Sequence, residues 1–355
     1  MKYKEFNLYT EDIHRGDAYR REYVASIDRL LERKFAEGKG KRAQSASPEL
    51  VANHSEFFRH KYLEMIGFPF DLVSEEVPKV KQEYVSEDDL SKIYRLQLEV
   101  TPDFNFYGLL MIPSGATKAP LVIAQHGGGG TPEYCADMAG QNNYNFFTKR
   151  ALERGCVVFC PSLLLWCSEG KPEWSFPLFD IPANRLFRNS RLRQVGYSMT
   201  GLEVFCIMRS LDWLCTLPNV DQNRIGMMGS SYGGYFSLYT AAADCRIISV
   251  YDAASFNDRG IVLGQNDWSY YNSAELFFDA EVAGLVAPRK LRIDVGISDE
   301  TFDYHAAPAE AERARAYYEY YGAQDKFCFD LWDGGHRFDE SLSGFSFFFS
   351  GLMQD

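Results

Sequence analysis

The sequence predicts an α/β protein: a mainly parallel, doubly wound sheet with antiparallel strands at its start, preceded by a helical extension. Three observations carry that prediction. Short, nearly continuous apolar runs recur from "PLVIAQHGGGG" (120–130) to "KFCFDLWDGGH" (326–336), as strands covered on both faces do. Helical patterns lie between several of them. Ahead of them, "IYRLQLEV" (93–100) alternates apolar and polar residues, and "FYGLLMIP" (106–113) follows across the turn signal "TPDF".

Residues 1–75 read as the helical extension and 76–355 as the domain that carries the sheet. In the first helix Tyr23, Ile27, Leu30 and Leu31 form an apolar stripe, and the polar "EGKGKR" (37–42) ends it. Ser47, Pro48 and Glu49 open a second helix, with the serine placed to cap and the proline in the first turn. Its apolar face is Leu50, Val51, Phe57, Phe58, Tyr62 and Ile66, and "GFP" (67–69) closes it. Both helices are expected to pack against the main domain. Between the later strands, "LEVFCIMRSLDWLC" places Val204, Ile207, Met208, Leu211, Leu214 and Cys215 on one face, with Glu203 and Arg209 opposite. Residues 163–197 break the alternation with Trp166, Trp174, Phe176, Phe179 and Phe187, and with Arg185, Arg188, Arg191 and Arg193. An insertion of that length is a functional loop or one packed by its own aromatics.

The totals exclude several classes. A formal net charge of −12 argues against a nucleic-acid backbone or an anionic membrane surface as partner. The first twenty residues lack the apolar core of a secretory signal, and no apolar run approaches the roughly 18 residues that span a bilayer. Eight cysteines could make four disulfides, but a chain of 355 residues can fold without them. Cys156, Cys160, Cys206 and Cys215 fall in apolar strand and helix patterns and read as reduced, buried thiols, which points to the cytoplasm. No Cys-x-x-Cys or His-Glu-x-x-His occurs, so no metal is signalled.

Gly229-Ser230-Ser231-Tyr232-Gly233 fits Gly-x-Ser-x-Gly with Ser231 at its centre, between the apolar "RIGMMG" and the helix-like "YFSLYTAAA". A nucleophilic serine sits on a sharp strand-to-helix turn, and glycines two residues either side let strand and helix pass closely. Ser230 reads as a small residue the turn requires. Of six histidines, His14, His54 and His60 fall in the extension, and His126 precedes the glycine run. His336, in the glycine-flanked loop after the last strand, is the base expected for Ser231. The acid should lie between them, after the penultimate strand. Asp299 stands just past that strand's end, with Glu300 and Asp303 as alternatives, while Asp294 falls inside the strand. The Tyr232 N–H and one N–H of Gly127–Gly130, assigned to Gly128, are the expected oxyanion donors. A phosphate-cradling loop would need a Gly-Lys-Ser/Thr ending that is missing here.

With these residues the sequence resembles the α/β-hydrolase superfamily, and within it the acetyl-xylan-esterase-like and dienelactone-hydrolase-like esterases. It also shares features with the prolyl oligopeptidase catalytic domain. The matching stretches are "LVIAQHGGGG", "LDWLCTLPNVDQNRIGMMGSSYGG", "AAADCRI", "LVAPRKLRIDVGISDE" and "GGHRF", in order over roughly residues 90–340, and the helices ending in "EMIGFP" look like an extension found in this group. The resemblance implies an α/β-hydrolase catalytic domain over 76–355, a Ser231–Asp299–His336 triad, no cofactor and an acyl-enzyme pathway. The chain has serine where dienelactone hydrolases use cysteine, and it lacks the β-propeller of the oligopeptidases.

The leading expectation is therefore hydrolysis of small acyl esters, including those of carbohydrates. Trp166 and Trp174 could stack on a sugar or aryl group, and Arg188 and Arg191 could meet an acidic one. The alternatives are a serine peptidase or amidase, told apart by aminoacyl anilides, and a non-catalytic binding protein, told apart by an inert Ser231. The helical extension offers a surface on which two copies could pair.

Overall fold

The computed structural model describes residues 11–138, 144–164, 184–261 and 268–353. Nine strands form one sheet: β1 Lys79–Glu87, β2 Ser91–Thr101, β3 Phe104–Pro113, β4 Ala119–Gln125, β5 Val157–Pro161, β6 Val220–Ser230, β7 Ile247–Ala253, β8 Lys290–Gly296 and β9 Phe327–Trp332. Their spatial order is β1-β2-β3-β5-β4-β6-β7-β8-β9. β1, β2, β3 and β5 pair antiparallel in succession, and every later neighbour is parallel. The chain leaves β4 for one side and returns as β6 on the other. The crevice beyond the carboxyl ends of β4 and β6 is thus the topological switch point, where this architecture places its ligands.

The helices are α1 Asp17–Ser45, α2 Pro48–Asn53, α3 Ser55–Met65, α4 Pro132–Cys135, α5 Phe147–Leu152, α6 Arg185–Arg193, α7 Met199–Leu214, α8 Tyr232–Ala243, α9 Ser273–Leu276, α10 Asp279–Val286, α11 Ala307–Tyr320 and α12 Ser343–Phe349. One face of the sheet, through Leu121 and Ile123, packs on α3, α7, α8, α10 and α11. The other, through Val122 and Ala124, packs on α5 and α12. Burial on both faces is why these strands read as unbroken apolar runs.

The helical extension departs from the sequence reading in three places. α1 runs through the polar "EGKGKR" to Ser45, because tertiary contacts hold that stretch in place of an apolar stripe. Gly38 lies so close to the Ala274 carbonyl that a Cβ there would overlap it, and Arg42 is buried against Glu281, 3.2 Å away. The expected second helix is two, α2 and α3, broken at His54 (φ −133°). Its predicted start holds: Ser47 Oγ accepts from the Leu50 N–H at 3.4 Å, with Pro48 in the first turn. The third departure is that only the carboxyl-terminal part of α1 docks on the body.

β1 carried no readable signal. Its residues are mostly polar and exposed, since it is an edge strand, and only Val80 and Val85 are partly buried. On α7, Glu203 and Arg209 are not a solvated face but buried. Arg209 is absorbed by the carbonyls of Ser74, Glu76 and Val100 and by Asp212. The described cysteines are free thiols. Cys156, Cys160 and Cys206 are buried, but Cys215 is partly exposed and Cys245 is exposed. Among the described residues no helix is long and apolar enough to cross a membrane.

Candidate active site

β6 ends at Ser230 and α8 begins at Tyr232, leaving Ser231 alone at the tip of the turn with φ 59° and ψ −123°. A non-glycine residue there costs on the order of 1–3 kcal/mol, so neighbours must over-determine it. They do. The Ser231 N–H donates to the Ala253 carbonyl at 2.7 Å. A Cβ on Gly233 would overlap the Gln125 carbonyl, and one on Gly229 would overlap Gly233 itself. Both glycines are therefore needed for β4, β6 and α8 to meet at one point. Ser230 is buried beside them, as its small size allows.

The histidine and acid loops are sewn to each other. Ile297 N–H donates to the Trp332 carbonyl at 3.0 Å, and Ser298 N–H to the Gly334 carbonyl at 2.9 Å. Gly296 has no Cβ to block the Gly334 carbonyl. This delivers His336 to Ser231. Its Nε2 lies 2.7 Å from Ser231 Oγ and its Nδ1 lies 2.7 Å from Asp299 Oδ2. Asp299 Oδ1 accepts from the N–H groups of Thr301 at 2.7 Å and Phe302 at 2.9 Å, which fixes the carboxylate. The Asp299 side chain is 1% exposed and that of His336 19%. The Phe302 ring stands edge-on to the imidazole at 5.1 Å. A carboxylate facing Nδ1 selects the tautomer with its proton there, and the Nε2 lone pair is left for the serine proton.

The other carboxylates of this region are otherwise engaged. Asp294 is buried against Arg292 Nε at 2.5 Å and the Tyr251 hydroxyl, and burial pushes its pKa up to about 6. Asp303 caps the turn at Tyr304–Ala306, and the His305 N–H it accepts lowers its pKa. Glu300 is exposed.

Opposite the histidine, the loop after β4 is held by His126. The His126 Nε2 accepts from the Leu163 N–H at 2.9 Å, so its Nδ1 is the donor to the Gly127 carbonyl at 2.7 Å. Burial lowers its pKa to about 4, so it stays neutral. Gly130 N–H closes the turn on the Gly127 carbonyl at 3.0 Å. Gly127 N–H donates to the Tyr144 hydroxyl at 2.8 Å. A Cβ on Gly127 would touch Ser231 Cβ at 3.6 Å, so this loop passes directly over Ser231. The Gly127 N–H is thus occupied, and Tyr232 opens α8 directly after Ser231.

Sequence reasoning missed the layer beneath. Arg185 is buried and grips Glu203 with two bonds, 2.8 and 2.6 Å. Its guanidinium also lies 4.7 Å over the Tyr232 ring. Glu203 Oε1 accepts the Leu164 N–H at 2.6 Å. The pair thus ties α6 and α7 to the segment after β5 and to Tyr232. On the other flank Trp268 stacks on Tyr232 at 4.9 Å and meets Phe302 at 5.8 Å. No motif marks these residues; only the fold assembles them. Arg188 and Arg191 stand on α6. They line a groove of about 680 Å³ with Phe104, Tyr107, Leu163 and Met199, at the carboxyl-end rim of the sheet. Trp166 and Trp174 lie outside the described residues. Among the described residues no three His, Cys, Asp or Glu side chains converge as metal ligands.

The architecture is the α/β-hydrolase fold, and solved structures share it. A "putative acetyl xylan esterase" of Bacteroides fragilis superposes with a TM-score of 0.65 at 16% identity, over 81% of this chain and 76% of its own. A glucuronoyl esterase of Solibacter usitatus does so with 0.58 at 13% identity, over 79% of this chain and 87% of its own. Acetyl xylan esterase 1 of Thermoanaerobacterium gives 0.54 at 17% identity, over 84% and 93%. In sequence, the "Putative hydrolase YtaP" of Bacillus subtilis is 29% identical over 137 residues, 37% of this chain. That match spans 46% of the relative, about half its length. No family model matches the chain.

Proposed function

We propose that this chain is a serine hydrolase that cleaves small carboxylic esters, including acyl esters of carbohydrates, through an acyl-enzyme. The observation that carries the reading is the relay from Ser231 Oγ through His336 to Asp299, both links 2.7 Å long. Ser231 Oγ attacks the ester carbonyl carbon while His336 Nε2 takes its proton. The carbonyl oxygen becomes an oxyanion between the N–H groups of Tyr232 and Gly128. Collapse expels the alcohol, which takes the proton from His336, and leaves the acyl group on Ser231. Water then gives a proton to Nε2 and attacks the acyl carbon, and a second collapse frees the acid and restores the serine. Asp299 stabilises the imidazolium formed in each half.

The chemistry needs no cofactor, metal, nucleic acid or membrane. Carbohydrate esters are favoured by the names of the fold's neighbours, and a reducing compartment such as the cytoplasm by the buried free thiols. The test is turnover of p-nitrophenyl esters from short to long chains by wild type and Ser231→Ala. We expect the short esters to be cleaved, Ser231→Ala to be silent, and the rate to fall on acidification, because a protonated Nε2 cannot accept the serine proton. Equal rates in both proteins would overturn the reading. The groove beside Arg188 and Arg191 is proposed to take an anionic part of the substrate. Arg191→Ala should then slow anionic esters about tenfold more than neutral ones, and an equal loss on both contradicts it.

A further inference from the structure

We infer that α1 is a dimerisation arm whose amino-terminal half pairs antiparallel with the same segment of a second copy. From residue 18 to 37 every residue of this helix is exposed except Ala25, which is half-buried. Its contact with the body begins at Phe35, which meets Phe278 at 6.4 Å, and is completed by Gly38 on α9 and Arg42 on Glu281. Ahead of Phe35, no described residue of the body holds this helix, and residues 17–35 run roughly 28 Å. A helix in water draws most of its stability from packing an apolar face, and among the described residues nothing packs on this one.

Tyr19, Tyr23, Val24, Ile27, Leu30, Leu31 and Phe35 all lie within about 80° of Ile27 around the helix axis. Tyr19 is 81% exposed, Tyr23 69% and Phe35 37%. The same face carries Gly38 and Arg42, which pack on Ala274 and Glu281, so the exposed stripe ends where the body begins.

The occupant is written in the spacing. The stripe is symmetric about Ile27: Tyr19 and Phe35 stand eight residues either side, Tyr23 and Leu31 four, Val24 and Leu30 three. A two-fold axis through Ile27 lays each large side chain on its counterpart in an antiparallel copy, as an isologous contact requires. Arg20 and Lys34, seven residues either side, lie on the same face within about 20° of Ile27, so the two-fold sets Arg20 of one copy beside Lys34 of the other. Their charged ends turn back along their own helix, to Asp17 at 2.7 Å and Glu37 at 2.6 Å, while their stems can cover apolar surface. The segment carries Asp17, Glu22, Asp28 and Glu32 against Arg20, Arg21, Arg29, Arg33 and Lys34. That near balance suits a copy of itself better than an anionic surface. The exposed parts of the seven side chains amount to roughly 600 Å² per copy, or about 1,200 Å² for the pair, the lower edge of stable interfaces.

The test is molar mass by light scattering and sedimentation at tens of micromolar, with the full chain. Wild type should be a dimer that dissociates on dilution. Ile27→Glu sets two carboxylates against each other and should weaken it about 100-fold or more while circular dichroism shows the body still folded. Leu31→Glu and Tyr23→Lys should each weaken the dimer alone, and their mixture should restore a heterodimer, because residue 31 of one copy meets residue 23 of the other. A monomeric wild type, or a dimer indifferent to Ile27→Glu, overturns the proposal. A mixture that stays monomeric overturns the antiparallel pairing.

Discussion

Two histidines stand at carboxyl ends of strands in this sheet, each beside glycines, and the fold uses them in opposite ways. His126 has backbone groups on both ring nitrogens, is buried, and has its pKa pushed down to about 4. His336 has a carboxylate on one nitrogen and a hydroxyl on the other, and part of its ring faces solvent. Both partners of His126 are fixed main chain, so its best state is a single neutral tautomer. His336 meets one fixed anion and one group that can give up a proton. The first arrangement holds a loop in shape; the second can run a reaction.

The comparison is broken most strongly at His336. On the proposed mechanism, His336→Ala should lower kcat on a short ester by about 10⁵–10⁶-fold with no change in urea midpoint. His126→Ala should lower the unfolding free energy in urea by about 1–3 kcal/mol, for two buried hydrogen bonds lost, and act on rate only through the loop. Asp299→Asn should cost about 10⁴-fold in kcat with the fold intact, since an amide oxygen can still accept from Thr301 and Phe302. Gly233→Ala should cost about 3 kcal/mol or more, because its Cβ must displace the Gln125 carbonyl.

The smallest effect sharpens the contrast through pH. An unfolded His126 binds a proton below about pH 6.5, but the folded one resists until about 4. Its contribution is therefore complete above 6.5 and is lost as pH falls towards 4, about 3 kcal/mol in all. Asp252, buried with its pKa raised to about 7, acts in the opposite sense, adding stability that is lost as pH rises to 7. Comparing wild type with His126→Gln cancels the Asp252 contribution. The wild-type advantage in urea melts should shrink from pH 7 to 4.5, and a constant difference would show that His126 is not held neutral.

What the sequence disclosed follows from how local each feature is. Ser231 is legible because its glycines, strand and helix lie within a few residues, and His336 and Asp299 because chain order places them after known strands. The β4 and β6 runs are legible because both their faces are covered. Arg185 is not, since its partners Glu203 and Tyr232 come from other elements, and Glu203 looks like an ordinary polar residue until Arg185 buries it. The passage of α1 through "EGKGKR" depends on Ala274 and Glu281, more than 200 residues away. β1 is silent because an exposed edge strand needs no apolar face.

The central claim is that Ser231 becomes acylated, and mass spectrometry of the acid-quenched protein after brief exposure to p-nitrophenyl acetate tests it directly. The account predicts an acetyl group on the peptide carrying Ser231, released on further incubation in wild type and absent from Ser231→Ala. Ester turnover with no adduct on that peptide, or with the adduct on another residue, would contradict it.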